Sequence, residues 1–142
     1  MPTAFSDTAY YIALMSERDT LHVDALAFDA GRPDQRIVTT DSVLVELLAH
    51  FSKRGSTARR AAADLVLQLR LDDRVTIVHQ TPELFFSAVD LYRDRLDKGY
   101  SLTDCSSMLL MRERRLSEAL TTDRHFEQES FVALLRTPAC RH

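Results

Sequence analysis

The feature that most constrains this chain is alternation: short runs of β-branched and small residues are each followed by a helix start. Arg36-Ile-Val-Thr-Thr40 reads as a short buried strand, and Thr40 or Asp41 caps the helix that follows. Val75-Thr-Ile-Val-His79 is a clear strand; Thr81-Pro82-Glu83 then supplies a capping hydroxyl and a Pro at the first helical position. Ala119-Leu-Thr-Thr122 forms a fourth strand that ends at Asp123. Thr3–Ser6 forms a short first strand leading into Asp7-Thr8 and a helix, and Phe131–Leu135 reads as a fifth strand. Strands alternating with helices predict an α/β fold with a mostly parallel sheet of about five short strands.

The helices between them have recognisable ends. Asp19 or Thr20 starts a helix with Leu21, Ala25 and Phe28 on one face, and Gly31-Arg32-Pro33 stops it. Gly55-Ser56 ends the helix begun at Asp41 and caps the next, which runs to Asp72-Asp73. Phe85, Ala88, Val89, Tyr92 and Leu96 lie at helical spacing and are expected in the core; Lys98-Gly99-Tyr100 ends their helix. Ser101-Leu102-Thr103-Asp104 opens another, with Cys105, Met108 and Leu109 facing inward.

A chain of 142 residues fits one domain, expected over residues 1–136 with a short tail over 137–142. No apolar run approaches the roughly 20 residues of a membrane span, and the first residues lack the basic and apolar regions of a signal peptide. The expected location is the cytoplasm, with no membrane partner. Two cysteines make no disulfide framework and match no zinc pattern; Cys105 reads as a core residue and Cys140 as an exposed thiol. A net charge of −3 argues against indiscriminate nucleic-acid binding but leaves room for a nucleic-acid enzyme that gathers acids in one site. Arg59-Arg60 and Arg112–Arg115 are either phosphate contacts or solvated faces.

Four acids carry the chemistry. Asp7 and Asp123 directly follow strands; Glu46 and Asp104 lie in the first turns of helices. In an open parallel sheet, ligands bind beyond the carboxyl ends of the strands, so all four can converge there. Asp7 alone could be a helix cap. Glu46 interrupts an apolar run and needs a cation, a metal or a water-facing edge. His50 is one turn beyond it, but no second histidine pair supports zinc. Carboxylates crowded in a cleft repel, and a hard divalent cation such as Mg²⁺ or Mn²⁺ removes that cost. Such an ion activates water and offsets charge developing on phosphoryl oxygens, which points to phosphodiester hydrolysis. The hydroxyls of Thr8, Thr103 and Thr122 could hold waters or ligands in place around it.

Ser6-Asp7-Thr8-Ala9, Thr39 through Glu46, Ser101-Leu102-Thr103-Asp104-Cys105 and Leu120-Thr121-Thr122-Asp123-Arg124-His125-Phe126 resemble the PIN-domain ribonucleases, above all the VapC toxins of bacterial toxin–antitoxin pairs. The resemblance covers nearly the whole chain, in the order and separation of the acids. It implies a three-layer α/β/α fold and an acidic site of Asp7, Glu46, Asp104 and Asp123 holding one or two Mg²⁺ or Mn²⁺ ions. It also implies an RNA substrate, a small antitoxin that blocks the cleft, and a homodimer. One departure is visible: Ser130 stands before Phe131 where relatives often carry Gly.

Two other readings compete. A doubly wound phosphoacceptor domain would need a paired acid after the first strand and a Lys after the fifth; Asp7 is single, and neither Lys53 nor Lys98 is suitably placed. An RNA-binding or RNA-processing module of the same fold, outside any toxin–antitoxin pair, is the remaining alternative.

Overall fold

A computed structural model describes residues 2–136. The elements, in order, are β1 (Thr3–Ser6), α1 (Thr8–Met15), α2 (His22–Gly31), β2 (Arg36–Thr40), α3 (Asp41–Phe51), α4 (Ser56–Leu71), β3 (Val75–Val78), α5 (Pro82–Asp94), α6 (Leu102–Glu113), β4 (Glu118–Leu120), α7 (Arg124–Gln128) and β5 (Val132–Ala133), with a 3₁₀ turn over Leu134–Arg136. The expected tail over residues 137–142, with Cys140, lies outside the described residues.

The five strands form one parallel sheet in the order β3-β2-β1-β4-β5. β1 is central, with Phe5 paired to Val38 on one side and to Ala119 on the other. That position explains its composition: Ala4, Phe5 and Ser6 are all fully buried, as a strand covered on both faces must be. The connections from β1 to β2 and from β2 to β3 step outward one way. The connection from β3 to β4 crosses back over the sheet and continues to β5. Right-handed crossovers therefore place α1–α4 on one face and α5–α7 on the other. The packing agrees: α1 meets α2 and α3, α3 meets α4, and α6 meets α5 and α7. The result is the expected three-layer α/β/α arrangement. Between β1 and β4 the strand order reverses, and that switch point opens a crevice at the carboxyl ends.

Local signals set most boundaries. Thr40 caps α3 by accepting from Val43 N–H, and Thr81 caps α5 by accepting from Leu84 N–H. Ser101 and Asp104 form a reciprocal capping box on α6. Cys105 is fully buried, and burial pushes its thiol up to about 11, as suits an inert core residue.

Several boundaries differ from expectation. α2 begins at His22, because Asp19 spends its side chain on Leu21 N–H in a tight turn before the helix. α4 starts as expected at the Gly55-Ser56 pair, with Gly55 in the N-cap position at φ 99°. β4 ends at Leu120, and β5 has two residues before the chain turns into a 3₁₀ segment. α5 ends at Asp94 and buries Ala88 and Leu91, while Val89, Tyr92 and Leu96 are exposed and Phe85 is half-buried. It packs mainly on one neighbour, α6, so its buried stripe is narrower than the apolar spacing implies.

Candidate active site

Asp7 follows central β1 at the switch point, in the N-cap position of α1, yet its side chain makes no capping bond. Instead Thr121 Oγ1 donates to Asp7 Oδ2 at 2.8 Å and accepts from Asp123 N–H at 3.0 Å. Asp7 N–H donates to Leu120 O at 3.3 Å, extending the β1–β4 ladder by one residue and fixing where the carboxylate emerges. Asp7 is 6% exposed. Desolvation, reinforced by the charges of Asp104 and Glu46 and opposed by the Thr121 hydroxyl, raises its pKa to about 7.

Asp104 is placed by its own helix start. Its Oδ2 accepts from Ser101 N–H at 3.0 Å, so the capping box also aims the carboxylate. Asp123 caps the short α7, its Oδ1 accepting from His125 N–H at 2.9 Å. That cap turns His125 back toward the acids. Its Nδ1 lies 3.3 Å from Asp104 Oδ2 and 3.3 Å from Asp123 Oδ1. Ligand atoms of Asp104, Asp123 and His125 all lie within 4.8 Å of one another.

Glu46 is half-buried, one and a half turns into α3. Thr8 Oγ1 donates to its Oε1 at 2.8 Å. Its pKa is raised by desolvation and by the charge of Asp104, against hydrogen bonds from Thr8 and Thr103. Asp41, Ser42, Val45, Glu46, Gln80 and Thr103 line an open cavity of about 420 Å³. Asp104 and Asp123 thus meet directly, Asp7 joins through Thr121, and Glu46 is coupled through its charge.

Of the three hydroxyls expected around the acids, Thr8 and Thr103 reach Glu46. Thr122 makes no hydrogen bond to any of the four acids; its neighbour Thr121 has that role. β4 ends at Leu120, two residues earlier than expected, and Thr121 lies just past it in a tight turn, its N–H donating to Ala119 O, fully buried. His125 stands in the string that carries the resemblance, two residues after Asp123, but only the turn of α7 gives it a place in the site. His50 lies on α3 outside the cluster and is exposed. Arg59 closes the α3–α4 turn by donating to Ser52 O at 2.8 Å, and Arg112 is bound to Glu129 at 2.7 Å. Arg114 and Arg115 remain exposed.

The donor set fits a divalent ion. Carboxylate oxygens dominate it, and Asp7, whose pKa is raised first by burial and then by the charges of Asp104 and Glu46, is a carboxyl that a cation would relieve.

Known proteins point the same way. The sequence profile of the PIN domain matches residues 4–131. The "23S rRNA-specific endonuclease VapC20" of Mycobacterium tuberculosis is 30% identical over 129 residues, covering 90% of this chain and 95% of the relative. The crystal structure of Mycobacterium tuberculosis VapC20, described as a sarcin–ricin loop cleaving toxin, matches at TM-score 0.80 with 29% identity, covering 91% of this chain and 96% of that one. VapBC2 from Rickettsia felis, bound to a DNA fragment from its promoter, matches at TM-score 0.63 over 92% of this chain and 96% of that one; at 16% identity the likeness is of fold alone. The profile, the sequence and the layered parallel sheet agree, and the chain belongs to the PIN-domain family, as a VapC-type endoribonuclease.

Proposed function

We propose that this chain is the toxin of a toxin–antitoxin pair, a Mg²⁺- or Mn²⁺-dependent endoribonuclease that acts in the cytoplasm on structured ribosomal RNA. The observation that carries the metal-dependent reading is Asp7, a nearly buried carboxyl whose pKa rises to about 7 beside Asp104 and Glu46. Such a group is relieved by a cation at neutral pH. Asp7, Glu46, Asp104 and Asp123 would hold the ion; when bound, it supplies activated water and offsets charge on the phosphoryl oxygens.

The chain's own residues do the positioning. Thr121 fixes Asp7 relative to Asp123, and the α6 capping box fixes Asp104. Thr8 and Thr103 hold Glu46 toward the cavity, where the scissile phosphate would enter. Ribosomal RNA is supported as substrate by the named activity of the relative at 30% identity. No helix of the described residues is long and apolar enough to cross a membrane.

Two surfaces suit the proposed partners. An apolar groove of about 470 Å³, lined by Leu44, Val45, Leu48, Val66, Leu67 and Ile77, adjoins the acidic cavity and would receive an antitoxin segment. The exposed Phe86, Val89 and Tyr92 of α5 offer a face for a homodimer.

The test is cleavage of purified ribosomal RNA with Mn²⁺ or Mg²⁺, EDTA as control and Asp7→Asn as the inactive variant. Ion-dependent cuts lost in the variant support the proposal; cleavage unaffected by EDTA, or none in any RNA pool, overturns it.

A further inference from the structure

Behind the site lies a second cluster that the reading above does not use. Glu129 follows α7, and its side chain is 6% exposed. Its oxygens accept from Arg95 Nε at 3.2 Å, Arg95 Nη2 at 3.3 Å, Arg112 Nη2 at 2.7 Å and Tyr100 Oη at 2.9 Å. Two arginines and a phenol thus converge on one carboxylate. Cation-rich bonding of this kind fixes an acid in place rather than readying it for chemistry.

What that fixed acid holds is Tyr100. Gly99, at φ 71°, turns the chain out of the α5–α6 connection and delivers Tyr100 inward, where it is 4% exposed. With its hydroxyl tied to Glu129, the phenol ring packs on the imidazole of His125, centroids 5.0 Å apart and planes tilted by 59°. The same imidazole places Nδ1 3.3 Å from both Asp104 and Asp123. His125 thus contacts an anchored ring as well as two carboxylates.

We propose that Tyr100 and Glu129 are positioning residues that hold His125 as a nitrogen donor to the ion between Asp104 and Asp123, biasing the site toward Mn²⁺ over Mg²⁺. The inference rests on the metal-dependent reading above. Both ions favour oxygen ligands, but Mg²⁺ is the harder ion, stricter in geometry and slower to give up its waters, so one nitrogen among carboxylates is better tolerated by Mn²⁺ and shifts the preference without abolishing Mg²⁺ binding. Groups that orient a metal ligand commonly change affinity by about 10–100-fold when removed.

The experiment is calorimetric titration of the full chain with MnCl₂ and with MgCl₂, each alone. Wild type is compared with His125→Ala, Tyr100→Phe and Glu129→Gln, with circular dichroism as the folding check. Tyr100→Phe keeps the ring and deletes only the anchor, so it remains informative if Glu129→Gln fails to fold. The Mn²⁺/Mg²⁺ affinity ratio should fall about tenfold in His125→Ala and by roughly threefold or more in Tyr100→Phe, with Mg²⁺ affinity little changed. A ratio unmoved by His125→Ala overturns the proposal. So does a ratio that His125→Ala moves and Tyr100→Phe does not. Wild type that binds neither ion sinks both this inference and the metal-dependent reading; metal-dependent cleavage with an unmoved ratio sinks this inference alone.

Discussion

Thr121 Oγ1 donates to Asp7 Oδ2 at 2.8 Å, so a hydroxyl just past one strand orients a carboxylate just past another, 114 residues away in sequence. The same oxygen accepts from Asp123 N–H at 3.0 Å. Thr121→Val keeps the shape and removes both bonds. It should lower RNA cleavage by about 10–100-fold and destabilise the ion-free protein by about 1–3 kcal/mol, because buried Asp7 loses its donor. Steady-state cleavage and urea melts check this; unchanged cleavage would show that the hydroxyl does not position Asp7.

Asp7→Asn should abolish cleavage, with a loss of at least about a hundredfold. In the ion-free protein it should raise the melting temperature at pH 8, because it removes a desolvated charge that Asp104 and Glu46 repel. Mg²⁺ should raise the melting temperature of wild type more than that of the variant. Equal shifts in a thermal scan would rule out Asp7 as a shared ligand.

The pH dependence of ion-free stability follows from the same residue. The folded pKa of about 7 lies above the ordinary carboxyl value of 3.8, so between those values the native state binds more protons than the unfolded one. Asp7 therefore contributes its full stability below about pH 3.8 and loses it as pH rises to about 7, a change on the order of 4 kcal/mol. Urea melts of wild type minus Asp7→Asn across that range should fall with rising pH; a flat difference would place Asp7 in wetter surroundings.

Glu129 has the opposite sign. Burial alone would raise its pKa, but hydrogen bonds from Arg95, Arg112 and Tyr100 prevail and hold it down to about 2. Its contribution is present above the ordinary glutamate value of 4.5 and disappears as pH falls toward 2. Arg112→Ala should cost roughly 2 kcal/mol at pH 7, allowing for screening at the half-exposed arginines, and much less at pH 2.5. Equal costs at the two pH values would mean that Arg112 acts through packing on Phe131, whose ring centroid lies 5.7 Å from the guanidinium carbon.

Ser130 adopts φ 72°, the left-handed conformation that glycine takes readily. This is the position where relatives often carry Gly. Ser130→Gly relieves side-chain strain but loosens the unfolded chain, leaving a net gain of up to about 1 kcal/mol. A melting temperature rising by about 1–4 °C checks it; a drop would mean that the turn relies on the serine side chain.

The layered fold was legible because its signals are local. Thr40, Thr81 and Ser101 start helices through their own hydroxyls, and β2 and β3 are compact runs just ahead of the first two. The acids were legible because they stand where strands end or helices begin. Thr121 was not, since the strand stops at Leu120 and the turn that follows, not strand alternation, places its hydroxyl. α7 is five residues long, too short for any apolar period, so the turn that brings His125 back was invisible. Glu129, Arg95, Arg112 and Tyr100 come from three separate stretches of chain, and only packing brings them together. The exposed face of α5 was misplaced because spacing cannot say how wide a neighbour covers a helix.

β4 enters the sheet late in sequence but lies directly beside β1. Asp7, which follows the earlier strand, gains Thr121 and Asp123 as neighbours only once that later strand has docked. A chain cut upstream of β4 therefore has no assembled acidic centre and should cleave no RNA.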